Sequence, residues 1–167
     1  FVKARLDEMG IPWNAIANTG VVAIIKGALP SDKVIALRAD MDALPIMEAN
    51  QTDYASQHKG VMHACGHDVH MTAFIGAARL LAGIKDQWKG TLMMIAQPDE
   101  ERGAGARAML KDGLFERFLK PDFCVAQHVA ATMASGTVGC VPGYALANVD
   151  SVDITVRGLG GHGAFPN

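Results

Sequence analysis

TLMMIAQPDEE, residues 91–101, is the stretch on which the fold class turns. TLMMIA holds no charged residue and is ended by Pro98. A continuous apolar run this short, closed by a proline, reads as a strand covered on both faces. Glu100 and Glu101 follow almost at once. Carboxylates set against so apolar a strand are costly unless something compensates them, and a bound cation would do so. The alternative is a solvated pair opening the next helix, where the helix dipole favours negative charge.

Outward from this strand, the chain alternates between two periods. VVAIIK (21–26) and VIALRA (34–39) are short β-branched runs separated by Gly27, Pro30 and Ser31, and they read as two neighbouring strands. Met71, Phe74, Ile75, Ala78, Leu81 and Ala82 recur at helical spacing, which predicts a helix over 71–82 stopped by Gly83. ARAMLKDGLF (106–115) reads as a helix interrupted at Gly113, and DFCVAQHV (122–129) as a further buried strand. FVKARLDEMGIPW at the start reads as an amphipathic helix running into a turn. Strands alternating with helices predict an α/β fold with a mixed, mostly parallel sheet flanked by helices.

Composition narrows the function classes. Of the 167 residues, 50% are hydrophobic and 19% charged, which suits one globular domain with a substantial core. A net charge of −2 and the lack of a Lys/Arg run give no footprint for nucleic acid. No apolar stretch approaches the roughly 20 residues that cross a bilayer, so no membrane partner is expected. With 3 cysteines, too few and scattered for a disulfide framework, reduced thiols in a cytoplasmic setting are expected. Phe1 is not an initiator Met, and the alternating Val152, Ile154 and Val156 lead into a final glycine-rich loop. The chain therefore reads as a piece of a longer protein.

The chemically loaded residues cluster at element ends. HACGHDVH (63–70) puts Cys65 and His67 on either side of Gly66, able to turn toward one point, and Zn²⁺ accepts such S and N ligands. A cysteine nucleophile at Cys65, with the distant His128 as its base, is a competing reading. A buried cysteine among loop histidines is the plain one. Asp40 and Asp42, in RADMDALP, share one side if the backbone is extended. One of them can hold a ligand histidine or bridge metals, while a cap on the turn before Pro45 is by itself the more ordinary role for Asp42. His128, closing an apolar strand, is by itself more typical of a satisfied core histidine. Ligands in open α/β sheets gather beyond the carboxyl ends of strands, and four segments converging there would build one site.

RADMDALP (38–45), HACGHDVH (63–70), QPDEERGAGARAML (97–110), QHVA (127–130) and GLGGHGAFP (158–166) resemble, in that order, motifs of the M20 metallopeptidases, in the branch that cleaves N-acyl amino acids. The resemblance implies a zinc-peptidase-like catalytic domain over 1–150, incomplete here. Residues 151–167 would supply the first strand of a smaller α+β lid or dimerisation domain. It implies two divalent metal ions, Zn or Mn with Co or Ni as further choices, and Cys65, His67, Glu101 and His128 as ligands. Glu100 matches the general base, Asp42 the carboxylate that supports the site from behind, and His162 a lid histidine that stabilises the oxyanion, often across a homodimer. The implied substrate is a small N-acyl amino acid or short peptide. Asp99 stands where the family has a small residue, Leu159 where it often has Lys, and a last ligand histidine lies beyond this chain. The piece is therefore expected to be inactive alone. A metal-binding module without turnover is the non-enzymatic alternative, against which the presence of Glu100 argues.

Overall fold

A computed structural model describes residues 1–147 and 149–165. The chain divides into two compact units, Phe1–Ala130 and Ala131–Asn167. In the first, helix α1 (Val2–Glu8) precedes β1 (Trp13–Ile16), β2 (Gly20–Lys26) and β3 (Leu29–Asp40). Helix α2 (His67–Gly83) and a single 3₁₀ turn (Lys85–Gln87) lead to β4 (Lys89–Gln97), α3 (Gly105–Lys111), α4 (Leu114–Arg117) and β5 (Phe123–Ala126). The five strands form one mixed sheet in the order β1-β2-β4-β3-β5. β1 pairs antiparallel with β2, and β2 with β4, whereas β3 runs parallel to both β4 and β5.

The apolar run at 91–96 is buried on both faces. Leu92, Met94 and Ala96 join a cluster with Leu6, Phe74 and Ala78, from the α1 and α2 side. Met93 and Ile95 join Met109 and Leu114, from the α3 and α4 side. Alternate side chains of one strand thus feed two cores, which is why no polar alternation interrupts it. This also explains a correction. The runs at 21–26 and 34–39 are both strands but not neighbours, because β4 inserts between them. Residues 27–29 wrap the start of β4, with Gly27 N–H donating to Gly90 O at 2.9 Å and Leu29 N–H to Trp88 O at 3.3 Å. Placing the most apolar strand centrally buries more surface than a β2–β3 hairpin would.

Three further expectations change. β5 is not buried: Phe123 is 65% exposed and Val125 51%. It lies at the edge of the described sheet, beside β3, and all four of its residues are exposed. In the second unit, the alternating run at 152–156 forms no strand, and Val152, Ile154 and Val156 are exposed. The helix expected at 71–82 instead begins earlier, at His67, inside the histidine-rich motif. Gly113, at φ +82°, separates α3 from α4 where an interruption was expected.

Candidate metal centre

Because β3, β4 and β5 run the same way, their carboxyl ends share one edge, with Asp40 opposite Gln97 in register and Arg38 opposite Ala126. Asp42 follows β3, the Glu100–Glu101 turn follows β4, and His128 follows β5. The start of α2 brings His67 to the same edge. Gly66 makes that entry possible: its φ of +86° suits glycine, and a Cβ there would meet Val129 Cγ2 at 2.3 Å.

Five of the expected residues meet closely. Ligand-type atoms of Cys65, His67 and His128 lie within 4.8 Å of one another, and so do those of His67, Glu100 and Glu101. Cys65 Sγ stands 3.5 Å from His128 Nε2. His67 Nε2 stands 3.7 Å from Glu100 Oε2 and 3.9 Å from Glu101 Oε1. The far side of each ring is tied to backbone. His67 Nδ1–H donates to Asp42 O at 3.0 Å, and His128 Nδ1–H to Val129 O at 2.7 Å. Both assignments leave the Nε2 lone pair facing inward, the arrangement that suits imidazole ligands.

The cluster is short of positive charge. Among the described residues, the buried atoms His67 Nε2, Glu101 Oε1 and Asp42 Oδ1 have no hydrogen-bond partner. His67 Nε2 and Glu101 Oε1 are crowded together, and a cation among these S, N and O donors would satisfy them, whereas Asp42 Oδ1 lies behind the His67 ring, on its Nδ1 side. The residues present therefore fit a divalent metal. Burial, then the charge of Glu101, pushes the Cys65 thiol above its ordinary range. That opposes a free nucleophilic thiolate at neutral pH, which needs the reverse shift.

The two glutamates are not equivalent. Glu100 is 39% exposed and Glu101 22%. Glu101 N–H donates to Asp42 Oδ2 at 3.0 Å, which fixes its backbone, while Asp42 Oδ1 lies 3.3 Å from His67 Nδ1. The turn that aims the pair is left-handed at Asp99, φ +52°, a conformation Asp tolerates better than most residues. Asp99 O accepts from Ala104 N–H and Gly105 N–H, at 3.2 and 2.9 Å. Its carboxylate is taken by Arg102 through two bonds of 2.6 and 2.9 Å, so Asp99 does not compete for the centre.

Asp40, weighed from the sequence as a holder of a ligand histidine, pairs here with His70, to which the sequence alone gives no role. Asp40 and His70 are each 1% exposed, and His70 Nδ1 and Asp40 Oδ1 stand 2.5 Å apart. Burial alone would raise the Asp40 carboxyl, but the His70 hydrogen bond and then the Arg38 guanidinium hold it below its usual range. The available signals were weak: Asp40 shares i, i+2 spacing with Asp42, and His70 follows His67 by one helical turn. His162 lies in the second unit, where its Nδ1 accepts from Ala164 N–H at 3.2 Å and its ring packs near Phe165, 5.4 Å between centroids.

Comparisons with known proteins agree on one lineage. The model of Peptidase family M20/M25/M40 matches residues 36–165. The chain is 44% identical over 168 residues to an N-acetyl-L-cysteine deacetylase of Bacillus subtilis, covering 100% of this chain and 39% of that protein. It is 42% identical over 166 residues to a hippurate hydrolase of Campylobacter jejuni, covering 99% and 42%. Among solved structures, the YXEP protein of Bacillus subtilis, described as a dinuclear metal-binding peptidase from the M20 family, superposes with a TM-score of 0.70. That match is 41% identical and covers 76% of this chain and 35% of that one. The chain thus spans about two fifths of the length of these curated relatives.

Proposed function

Because the chain belongs to peptidase family M20/M25/M40, we propose that the complete protein hydrolyses the amide bond of small N-acyl amino acids or short peptides. The observation that carries this reading is the pair of inward-facing Nε2 atoms, on His67 and His128, set beside Cys65 and two glutamates of unequal exposure. Cys65, His67, Glu101 and His128 would hold a pair of divalent ions, Zn or Mn by donor chemistry. When bound, such ions polarise an amide carbonyl and bring the pKa of water from 15.7 toward about 7.

The chain's own residues divide the remaining work. Glu100, the more exposed glutamate, accepts a proton from the attacking water and passes it to the leaving amine. Glu101, fixed through its N–H by Asp42, serves as a ligand rather than a base. Asp42 also bears on the rear of His67 and keeps that ring's orientation. His162, from a lid that begins near residue 151, would stabilise the oxyanion, across a homodimer. Losing one such donor costs on the order of 3 kcal/mol of barrier. The names of the relatives, a deacetylase and a hippurate hydrolase, support small acylated amino acids as the substrate class. Three free cysteines support a reducing, cytoplasmic setting. None of the described helices is long and apolar enough to cross a membrane.

The test is Glu100→Ala beside Glu101→Ala in the complete protein, with turnover of N-acetyl and N-benzoyl amino acids and elemental analysis read together. Glu100→Ala is expected to abolish turnover with metal content retained, and Glu101→Ala to lose both. Equal metal loss in the two variants would overturn the division of labour. The 3.5 Å approach of Cys65 Sγ to His128 Nε2 favours a second reading, a cysteine hydrolase. Activity that survives EDTA but not iodoacetamide would select it.

A further inference from the structure

His70 is the one histidine of the 67–70 helical turn to which the proposed chemistry gives no task, yet it is among the most buried polar residues of the chain. Its two ring nitrogens are engaged in opposite senses. Val129 N–H donates to His70 Nε2 at 3.0 Å, so Nε2 carries no proton. Nδ1 therefore bears the hydrogen and gives it to Asp40 Oδ1, 2.5 Å away. Asp40 Oδ2 is in turn held by Arg38 Nη1 at 2.7 Å. Val129 immediately follows His128, and its carbonyl accepts the His128 Nδ1–H that turns Nε2 toward Cys65. The same Val129 closes over Gly66, at the start of the helix that carries His70.

From this chain of contacts we propose that His70 is a positioning residue for His128. Arg38 and Asp40 lock the His70 tautomer. His70 Nε2 then anchors the Val129 amide, and the anchored Val129 segment sets where the His128 imidazole stands. Among the described residues β5 ends at Ala126 at the sheet edge and no strand follows it, so the contact that fixes the next segment here is a side chain from α2. A buried acceptor 59 residues upstream supplies the constraint. The inference rests on the metal-centre reading and adds to it an outer partner of a ligand, which metal sites commonly need.

The experiment compares His70→Gln, His70→Asn and His70→Phe in the complete protein. A Gln carboxamide reaches the place of Nε2 and can still accept from Val129 N–H; an Asn carboxamide reaches only the place of Nδ1. Zn²⁺ and Mn²⁺ affinities are read by chelator competition, stoichiometry by elemental analysis, and folding of the metal-free proteins by thermal melting. Loss of an outer hydrogen-bond partner typically lowers metal affinity about 10- to 100-fold. That loss is expected for Asn and Phe, at one of the two ions, while Gln stays within about threefold of the parent. Should Phe not fold, the near-isosteric Gln and Asn pair decides alone. Equal affinity in all variants, or Gln falling as far as Asn, overturns the proposal while leaving the metal centre standing. A parent protein that binds neither ion removes both.

Discussion

Strands β2 and β3 are both apolar, β-branched runs, and both flank β4, yet only β3 ends in chemistry. The difference is direction. β3 runs parallel to β4, so its carboxyl end, at Asp40, arrives beside Gln97, where the glutamate turn begins. β2 runs antiparallel, so the same edge receives its beginning, with Val21 opposite Ala96. What precedes β2 is the tight turn from β1, backed against Pro98, whose Cδ a Cβ on Gly20 would meet at 3.2 Å. A strand's exit leaves its following loop free to project side chains. A strand's entry from a short hairpin does not. The parallel half therefore carries the candidate ligands, and the antiparallel half supplies burial and a floor for the turn.

That contrast can be broken at several points. The largest effect is expected from Gly105→Ala, on the parallel side, because the new Cβ would stand 1.5 Å from Pro98 O. Backbone cannot yield by that much without moving the glutamate turn. A loss of more than about 3 kcal/mol in urea unfolding is expected, together with metal binding. Met94→Ala empties a fully buried position of β4 and should cost about 2–5 kcal/mol. Metal stoichiometry of the folded fraction should not change, and a change would mean that core and centre are not separable. Gly20→Ala, on the antiparallel side, meets Ile16 O at 2.7 Å and should cost about 1–3 kcal/mol with metal binding intact. If Gly20→Ala instead strips the metal, the division of the sheet into floor and site is wrong.

The smallest effect lies at the start of the parallel half. Asp122 bonds to Lys33 Nζ at 2.7 Å and accepts from Val34 N–H at 2.8 Å, tying the approach of β5 to β3. The Lys33 hydrogen bond, then the Val34 amide, hold the Asp122 carboxyl below its ordinary range. A carboxyl lowered on folding stabilises the fold above its unfolded value, near 3.8, and that contribution fades as pH falls toward the lower folded value. Denaturation midpoints of Asp122→Asn and the parent should therefore differ at pH 6 and converge at the acid end. The pair is solvent-exposed, so the difference will be slight.

Much of this was legible beforehand because the signals are local. An uninterrupted apolar run at 91–96 says strand whatever surrounds it, and apolar residues at three- and four-residue spacing between Met71 and Ala82 say helix. Cys65, His67 and the glutamate pair announce themselves by residue type. The misjudged elements are those whose state depends on a distant partner. Val125 resembles any core strand valine, and only the tertiary structure shows it exposed, on the outermost strand of the described sheet. The run at 152–156 has strand periodicity, yet no strand forms there among the described residues. His70 sits in a motif already rich in histidines, and nothing in the linear order separates an inward ligand from one that holds backbone.

The sequence by itself therefore determined the main strands and the long helix of the first unit, and which side chains are chemically able to hold a metal. These follow from periodicity and functional groups that neighbouring residues already express. Only the tertiary structure decided that β4 divides β2 from β3, that Cys65 meets His128 across 63 residues, and that Asp40 serves His70. The reason is physical. Pairing across long loops is chosen by the total apolar surface buried and the polar groups satisfied, sums over the whole fold that no short stretch contains.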